Sequence, residues 1–529
     1  MKIRTNIVLL IIIFLFSCDK DNNNSSNVFR YNEYSNISSL DPAFSSTLRN
    51  IWPCNQIFNG LVKMDKNLDV IPDIAKSWTI SEDQKTYTFK IKNNIFFHKS
   101  ELFGINNTRE VDAYDFEFSF KRLIDKNLAS PGAWVMNNVE TFNALNDSTF
   151  QIKLYTKFNS FIEILTMKYC SVVPIEIVNN LGNSFSKKPI GTGPFKFKRW
   201  DDNIKMVLVK NENYHEKDST GNKLPYLDAI SIKFIPDKKS EFMEFMSGNL
   251  DFINSPENTI IDQIFDIEGN LNKRFKNQYL LSKKPYLNTE YIGFNTNNSL
   301  KDDVMLRKAI NFAIDRNKMI KYLRKNIGYP ATSGIVPNGL NNSFIKDRYY
   351  TDISRAKKLI KDYKEKNKLD LISIDVTTDS QYLDILEYIQ SELKKIDVQL
   401  NINITPPSIL RQGKATGKFN SFRASWIADY GNPENYFSLF YSKNFTPNGP
   451  NYTFFKNKEY DSLYEEILKE KNKNKLSIIY DKLENIIFNY SPIIPLYYDM
   501  SVRIQQKNIK GLNNNAFNML DLKRVYKAY

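Results

Sequence analysis

Cysteine and histidine are scarce in this sequence. It contains 3 cysteines and 2 histidines among 529 residues. Three widely separated cysteines are too few for a disulfide-rich scaffold, and two histidines exclude a multi-histidine or zinc-ribbon metal centre. We therefore expect neither a metal nor another cofactor.

Charge of one sign is never concentrated along the chain. The 73 Lys and Arg residues outnumber the 59 Asp and Glu residues and give a formal net charge of +14, but the excess is spread over the whole length. A nucleic-acid-binding arm would be a basic block, so nucleic acid is not an expected partner. The length and the 42% hydrophobic content predict two or three folded domains.

A long hydrophobic run is also missing, but a short one opens the chain. Lys2 and Arg4 precede the apolar run 7–16, which is shorter than the roughly 20 residues that cross a bilayer. This arrangement predicts a secretory signal over residues 1–17. The next residue, Cys18, matches a bacterial lipobox, in which the thiol carries an acyl chain such as palmitate.

The alternative is an ordinary cleaved signal in which Cys18 is incidental. The polar segment favours the lipoprotein, because residues 18–27 have the composition of a flexible tether. We predict a protein anchored by lipid outside the cytoplasm, in the periplasm or on the outer face of the cytoplasmic membrane. There, Cys54 and Cys170 either form a disulfide or remain two buried small hydrophobic residues.

Apolar periodicity predicts helices and strands in an order typical of α/β proteins. The predicted strands are 28–31, 86–91, 150–154, 206–210, 371–376 and 398–404. The predicted helices are 113–124 (with Asp112 as N-cap), 305–323, 353–363, 382–396, 460–469 and 476–487. The turn 191–195 is expected to lead into a further strand.

Nine short blocks are distributed over nearly the whole chain after the signal. They are 40–42 (LDP), 57–61 (IFNGL), 72–78 (PDIAKSW), 111–116 (VDAYDF), 191–195 (GTGPF), 224–228 (LPYLD), 293–296 (GFNT), 307–310 (RKAI) and 426–430 (WIADY). Each block alone is unspecific. Together, and in this order, they resemble the family 5 extracellular solute-binding proteins of bacterial ABC importers.

The resemblance implies an α/β fold with two lobes, the Venus-flytrap architecture of type II (cluster C) periplasmic binding proteins. The ligand cleft lies between the lobes. Carried over to this chain, lobe I comprises residues 28–59, 185–285 and 501–529, and lobe II comprises residues 286–500. An additional subdomain, residues 60–184, is inserted into lobe I.

The segment 423–430 resembles the peptide-binding branch, in which an aspartate after the tryptophan binds the α-ammonium of the ligand. Here that aspartate is Asp429, and Trp426 and Tyr430 would supply apolar walls. A carboxylate is the natural acceptor for an ammonium group, and such charge-assisted hydrogen bonds are roughly twice as strong as neutral ones. The alternative is that Asp429 caps a helix beginning near 433–434, with Trp426 in the core.

Basic residues would hold the far end of the ligand, where the carboxylate of a peptide lies. Arg423 and Lys414 match such positions in the family, Lys414 where a relative has arginine, and exposed surface charge is the alternative for both. Trp134 either adds an aromatic wall from the inserted subdomain or packs in its core. His98 and His215 are expected at the surface, in polar loops.

The resemblance implies a substrate-binding lipoprotein and not an enzyme. In agreement with this, the sequence contains neither a P-loop nor a Gly-x-Ser-x-Gly elbow. The protein would capture oligopeptides as a monomer and deliver them to the membrane permease of an ABC transporter. The alternative is the same fold with another solute, namely an oligosaccharide, a metal chelate or haem. Nickel-chelate branches tend to lack an aspartate at the position of Asp429, which disfavours that cargo.

Overall fold

The computed structural model describes residues 27–256, 258–297, 303–340 and 346–528. The predicted signal and the predicted acylation site, Cys18, lie outside these residues. Within them, every helix is too short or too polar to cross a membrane. We keep the names lobe I, inserted subdomain and lobe II for the ranges predicted above.

Lobe I is built on a four-stranded sheet. Its strands, in spatial order, are Val28–Glu33, Ala229–Phe234, Lys205–Lys210 and Phe195–Asp201. The first pair is parallel and the other two pairs are antiparallel. The C-terminal segment completes this core, because the Trp52 indole donates to the Asn518 carbonyl at 2.9 Å and Leu520 is fully buried.

The inserted subdomain contains an antiparallel four-stranded sheet. Its strands, in spatial order, are Ala75–Ile80, Thr86–Ile91, Thr149–Leu154 and Val139–Asn146. The helix Ala113–Ile124 packs on this sheet through Phe116 and Phe120, which contact Phe150. Its N-terminus is a capping box formed by Asp112 and Asp115, so the predicted start is confirmed.

Lobe II contains a mixed sheet in which two long antiparallel strands are central. In spatial order its strands are Phe252–Asn254, Ile493–Gln506, Tyr279–Phe294, Ser421–Ile427, Ile372–Thr378 and Val398–Ile404, and Tyr329–Pro330 also pairs with Ile493–Gln506. The last three strands of the main order run parallel to one another. Parallel pairing requires crossover connections, and the helices Leu383–Lys394 and Pro407–Ala415 supply them.

The two long strands also connect the lobes. Ile493–Gln506 pairs with Phe252–Asn254 of lobe I, and Tyr279–Phe294 pairs with Ser421–Ile427 of lobe II. The mutual register of the two long strands shifts between Pro285 and Thr289. A bulge bends and twists a strand, and this shift coincides with the predicted boundary between lobe I and lobe II at residues 285 and 286.

The α-helices cover these sheets on both sides of the connection. Those of lobe I and the inserted subdomain are Leu48–Ile57, Ala113–Ile124, Phe161–Ile164, Ile175–Leu181, Lys238–Met246, Asn258–Ile264 and Lys273–Lys276. Those of lobe II are Val304–Ala313, Arg316–Arg324, Ile353–Asn367, Leu383–Lys394, Pro407–Ala415, Glu434–Phe437, Lys458–Ile467 and Lys473–Tyr490.

One predicted helix, 305–323, is wrong as a single element. The structure has two helices, Val304–Ala313 and Arg316–Arg324, separated by Ile314 in an extended conformation. The Asp315 side chain accepts from the Lys318 amide and caps the second helix. A cap inside an apolar period is invisible to periodicity, because the two helices present their apolar faces to the same core.

The expectation of surface histidines is also wrong. His98 is 2% exposed, and its Nε2 lies 2.9 Å from the Gly193 carbonyl, beneath the turn 191–195. His215 is half-buried, and its Nε2 is buried without a hydrogen-bond partner. Burial lowers the pKa of both rings to about 4, so both are neutral at physiological pH.

The cysteine alternatives are decided by the fold. Cys54 and Cys170 are both free and buried, with exposures of 0% and 1%. Burial raises the pKa of the Cys54 thiol to about 12. Both residues therefore act as small hydrophobic side chains, Cys54 in the core of lobe I and Cys170 in that of the inserted subdomain.

Candidate functional site

The predicted recognition residues lie on and after one strand of lobe II. The strand Ser421–Ile427 pairs with Tyr279–Phe294, and it contacts Ile372–Thr378 through the pair Thr377 and Phe422. The strand ends at Ile427, and the loop 428–433 leads into the short helix Glu434–Phe437. This loop faces the inserted subdomain, because Tyr430 is part of the core of that subdomain.

Asp429 does not cap the following helix. The Asn432 side chain accepts from the Glu434 amide at 3.1 Å and performs that role. Asp429 is instead bound by Asn435, which accepts from the Asp429 amide at 3.2 Å and donates to its Oδ2 at 3.5 Å. The capping alternative is therefore wrong, because the Asp429 carboxylate contacts the Asn435 side chain and accepts from no backbone amide of the helix among the described contacts.

The Asp429 carboxylate lacks a cationic partner within the described residues. Burial raises its pKa to about 6, and the Asn435 amide only partly opposes this shift. Asp429 is half-buried, and an ionised carboxylate in a partly desolvated position is costly unless a positive group pairs with it. The position is thus electrostatically incomplete, and a cationic ligand group would complete it.

Tyrosine side chains surround this carboxylate from both sides of the cleft. The negative charge of Asp429 contributes to the raised pKa of Tyr430, Tyr436 and Tyr452 in lobe II and of Tyr169 in the inserted subdomain. Tyr169 is 7% exposed. Asp429 therefore lies where the inserted subdomain meets lobe II.

The two predicted tryptophans differ in their surroundings. The Trp426 indole is half-buried and donates to Asn435 Oδ1 at 2.8 Å, so Asn435 holds both Trp426 and Asp429. Trp134 is 37% exposed, so core packing is excluded for it. Trp134 lies two residues after Gly132. The backbone of Gly132 is so close to the Tyr169 ring that a Cβ at this position would fall 2.3 Å from a ring carbon.

Tyr430 lies at the contact between the two sides rather than on an open wall. It is 4% exposed, and its ring is 6.5 Å from that of Phe158 in the inserted subdomain. Its hydroxyl donates to the buried Glu434. Its predicted role as a ligand wall stays a prediction.

Arg423 is buried inside a group of carboxylates. Its guanidinium pairs with Glu290 and lies 3.8 Å from Asp379 Oδ2, and its exposure is 8%. The guanidinium carbon lies 3.1 Å from the centre of the Tyr382 ring. The surface-charge alternative is therefore wrong, and Arg423 is already neutralised by the protein itself.

Lys414 lies on the helix Pro407–Ala415 beside this group. Its ammonium is 5.5 Å from the centre of the Tyr452 ring and makes no ion pair in the part of the chain that the structure describes. Burial and the charge of Arg423 lower its pKa to about 8. Tyr452 is thus near both Lys414 and Asp429, neither of which has an ionic partner among the described residues.

A second cluster offers three metal-ligand atoms but is filled by lysines. Asp73, His215 and Glu216 place ligand atoms within 4.8 Å of one another. Lys63 pairs with both carboxylates, at 3.2 Å from Asp73, and Lys523 pairs with Glu216 at 3.1 Å. The ammonium groups take the place that a metal cation would occupy, so we interpret the cluster as an internal ion network.

Several residues of the site have no signal in the sequence. Asn435, Glu290 and Tyr382 contact the predicted residues, yet each is an ordinary polar or aromatic residue on a separate element. In the paired strands Glu290 lies opposite Ser425, and Arg423 lies opposite Ile292. Only this register brings Glu290 beside Arg423.

Comparison with known proteins gives the context of this site. The chain matches the model of the bacterial extracellular solute-binding proteins, family 5 (middle), over residues 69–448. The dipeptide-binding protein DppE of Bacillus subtilis (strain 168) is 27% identical over 537 residues, which cover 96% of this chain and 93% of that protein. Heme-binding protein A of Haemophilus influenzae is 26% identical and covers 87% of this chain, with 85% of its own length matched.

A solved structure supports the fold independently. The ABC transporter-associated periplasmic binding protein DppA from Helicobacter pylori, in complex with the peptide STSA, superposes with a TM-score of 0.80. The match covers 95% of this chain and 98% of that one at 24% identity. The predicted two-lobed type II α/β fold is confirmed. With its family model matched over most of its length, the chain belongs to the bacterial extracellular solute-binding proteins of family 5.

Proposed function

We propose that this chain captures short peptides between its lobes and holds their amino-terminal ammonium at Asp429. The observation that carries the proposal is the unpaired Asp429 carboxylate, whose pKa is raised to about 6 by burial. A free peptide brings a compact cation with several donors to that position. The names of similar proteins support the same class of cargo, since DppE is a dipeptide-binding protein and the Helicobacter pylori protein holds a tetrapeptide.

The other end of the peptide is assigned to Lys414. Arg423 already has Glu290 and Asp379 as partners, whereas the Lys414 ammonium has none among the described residues. A ligand carboxylate at Lys414 gains a charge-assisted hydrogen bond without displacing an internal one. The exposed Trp134 and the half-buried Trp426 supply aromatic surface.

The middle of the peptide is expected to bind as an extended strand. Main-chain hydrogen bonds give affinity in this mode, and side-chain pockets add only modest selectivity. We infer that uptake tolerates many sequences. The lobes close on the ligand because it contacts both of them only in the closed form.

The test uses a tripeptide such as trialanine with a free or an acetylated amino terminus. Acetylation removes the cation, so it is expected to weaken binding to the natural protein by about 3–5 kcal/mol, the scale for leaving one member of a buried ion pair alone. In Asp429→Asn the free peptide loses a similar amount and acetylation has little further effect. The exposed Asp397→Asn serves as the matched control. Equal calorimetric affinities of Asp429→Asn and the natural protein for the free peptide would remove Asp429 from the site.

A second cargo, haem, is favoured by the 26% identity to heme-binding protein A. Native mass spectrometry of the purified protein distinguishes the cargoes directly. Co-purified masses of peptides support the proposal, whereas a haem or glycan mass would replace it.

Delivery is proposed to occur at the membrane, to the permease of an ABC importer that supplies the transport energy. The lipid anchor at Cys18 would keep the protein there. Cys18→Ser is expected to release the protein from membranes while ligand affinity is unchanged, and fractionation with calorimetry measures both. A variant that still sediments with membranes would count against the anchor.

A further inference from the structure

The inserted subdomain contacts lobe II at a small polar site beside Asp429. The Asn432 side chain donates to Glu163 Oε1 at 3.3 Å, and the Asn159 side chain donates to the Glu470 carbonyl at 2.6 Å. Glu163 and Asn159 belong to the inserted subdomain, and Asn432 and Glu470 belong to lobe II. These bonds therefore join the two sides of the cleft directly.

Glu163 is the incomplete member of this contact. Its Oε2 is buried without a hydrogen-bond partner. The titratable groups that face it are Glu434 and Tyr480 of lobe II. Glu434 is 3% exposed and itself lies near Asp429. Acidic and phenolic groups thus surround Glu163, and no lysine or arginine in the described ranges forms an ion pair with it.

The orientation of Asn432 is fixed by its other bonds. Its Oδ1 accepts from the Glu434 amide at 3.1 Å and from the Tyr480 hydroxyl at 3.4 Å. The NH₂ group must then point towards Glu163, where it serves one carboxyl oxygen only. The remaining oxygen is desolvated, and that is the position in which a carboxyl group favours its neutral form.

We propose that Glu163 and Asn432 form a proton-dependent latch: Glu163 takes one proton from solvent onto Oε2 when the inserted subdomain docks against lobe II. Glu163 is a positioning residue, because it acts through Asn432 on the loop 428–433 that carries Asp429. The inference rests on the proposed function for its ligand, but the docking of the two sides is measurable without one.

The sign of the pH dependence follows from the burial of Glu163. Burial and the charge of Glu434 raise its pKa to about 7 in the docked form, whereas the separated subdomain leaves the carboxyl in water near its ordinary value of 4.5. Docking is therefore supported at low pH, and this support falls as the pH rises from about 4.5 to about 7 and is lost above about 7. Asp429 acts in the opposite direction, because it must be ionised to hold an ammonium group.

The decisive variant is Glu163→Gln, which keeps the acceptor for Asn432 and is neutral at every pH. Trialanine binding is measured by calorimetry at about pH 5.5 and about pH 8. At the higher pH, Glu163→Gln is expected to bind at least about tenfold more tightly than the natural protein, since each pKa unit corresponds to a tenfold effect. At the lower pH the advantage of Glu163→Gln is expected to be at least about tenfold smaller, because most of the support for docking is lost between these two pH values. The exposed Glu82→Gln, also in the inserted subdomain, is expected to follow the natural protein at both.

A ligand-free readout separates this inference from the proposed function. Small-angle scattering of the natural protein is expected to show a larger radius of gyration at about pH 8 than at about pH 5.5, and Glu163→Gln is expected to show the smaller radius at both. A ratio of affinities that is independent of pH, or an equal change of radius in both proteins, would overturn the latch. A protein that closes as described but ignores trialanine would overturn only the peptide cargo.

Discussion

The two ends of the candidate site carry buried charge in opposite ways. Asp429 has tyrosines and the Asn435 amide around it but no cation among the described residues, whereas Arg423 is enclosed by Glu290, Asp379 and the Tyr382 ring. A buried ion pair is tolerated because its members compensate each other, and a single buried charge is not. The Arg423 end is therefore compensated by the protein, whereas the proposed function assigns the partner of Asp429 to the ligand.

The family resemblance does not distinguish Asp429 from Arg423, but their surroundings do. The alignment of motifs assigns both Asp429 and Arg423 to the ligand, because both residue types are present at the matching positions. The structure shows that Arg423 already satisfies a neighbouring carboxylate, so a ligand carboxylate would have to compete with Glu290. Lys414 senses the charge of Glu290 and Asp379 but forms an ion pair with neither in the described part of the chain, so it is the more available cation.

The largest effect on stability is expected from removing the carboxylate partner of Arg423. Glu290→Gln removes the principal partner of Arg423 and leaves a buried cation, so we expect the free energy of unfolding to fall by about 3–5 kcal/mol. Denaturant-induced unfolding measures this. Replacing both residues, as in Glu290→Met with Arg423→Met, should recover most of the loss. An unchanged denaturation midpoint for Glu290→Gln would mean that Glu290 does not compensate the charge of Arg423.

At Asp429, by contrast, removing the charge is expected to leave the stability unchanged or to increase it. Asp429→Asn removes a carboxylate that has no partner in the absence of ligand, so at about pH 8 the free energy of unfolding should stay constant or rise by about 1–2 kcal/mol. The folded-state pKa of Asp429 is raised to about 6, so the cost of its charge grows from its ordinary pKa of 3.8 up to about 6 and is full above it. The gain should therefore vanish at about pH 4. A loss of stability as large as that of Glu290→Gln would contradict the comparison.

The smallest effect is expected at Lys414. Lys414→Met should weaken the binding of a free tripeptide by about 1.5 kcal/mol, the scale of a hydrogen bond to a charged group, and should not alter the binding of a peptide amide. Because the pKa of Lys414 is lowered to about 8, its contribution is present below that pH and is lost above it. The exposed Lys418→Met is the control. Equal losses for the free peptide and its amide would show that Lys414 does not hold the carboxylate.

Local structure followed from the sequence where one periodicity prevailed. The helix Ala113–Ile124 and the strand Val398–Ile404 have the predicted bounds, because capping residues and alternating apolar residues define them locally. The break at Asp315 and the burial of His98 were not predictable, since each depends on contacts that the fold makes between distant segments.

The same limit applies to the site. Asp429 was predicted from its neighbours in the chain, the motif Trp-x-x-Asp, and its role stays a prediction. The pairing of Arg423 with Glu290, 133 residues away, depends on the register of two strands and has no signature in the sequence. Residue types indicate which chemistry is available, and only the fold determines which groups are already satisfied.

A crystal structure of the protein with a bound tripeptide tests the central claim most directly. We expect the amino-terminal nitrogen of the peptide at about 2.7–2.9 Å from an Asp429 carboxylate oxygen, the distance of a charge-assisted hydrogen bond. A peptide whose ammonium group lies elsewhere, with Asp429 facing water or another protein group, would contradict it.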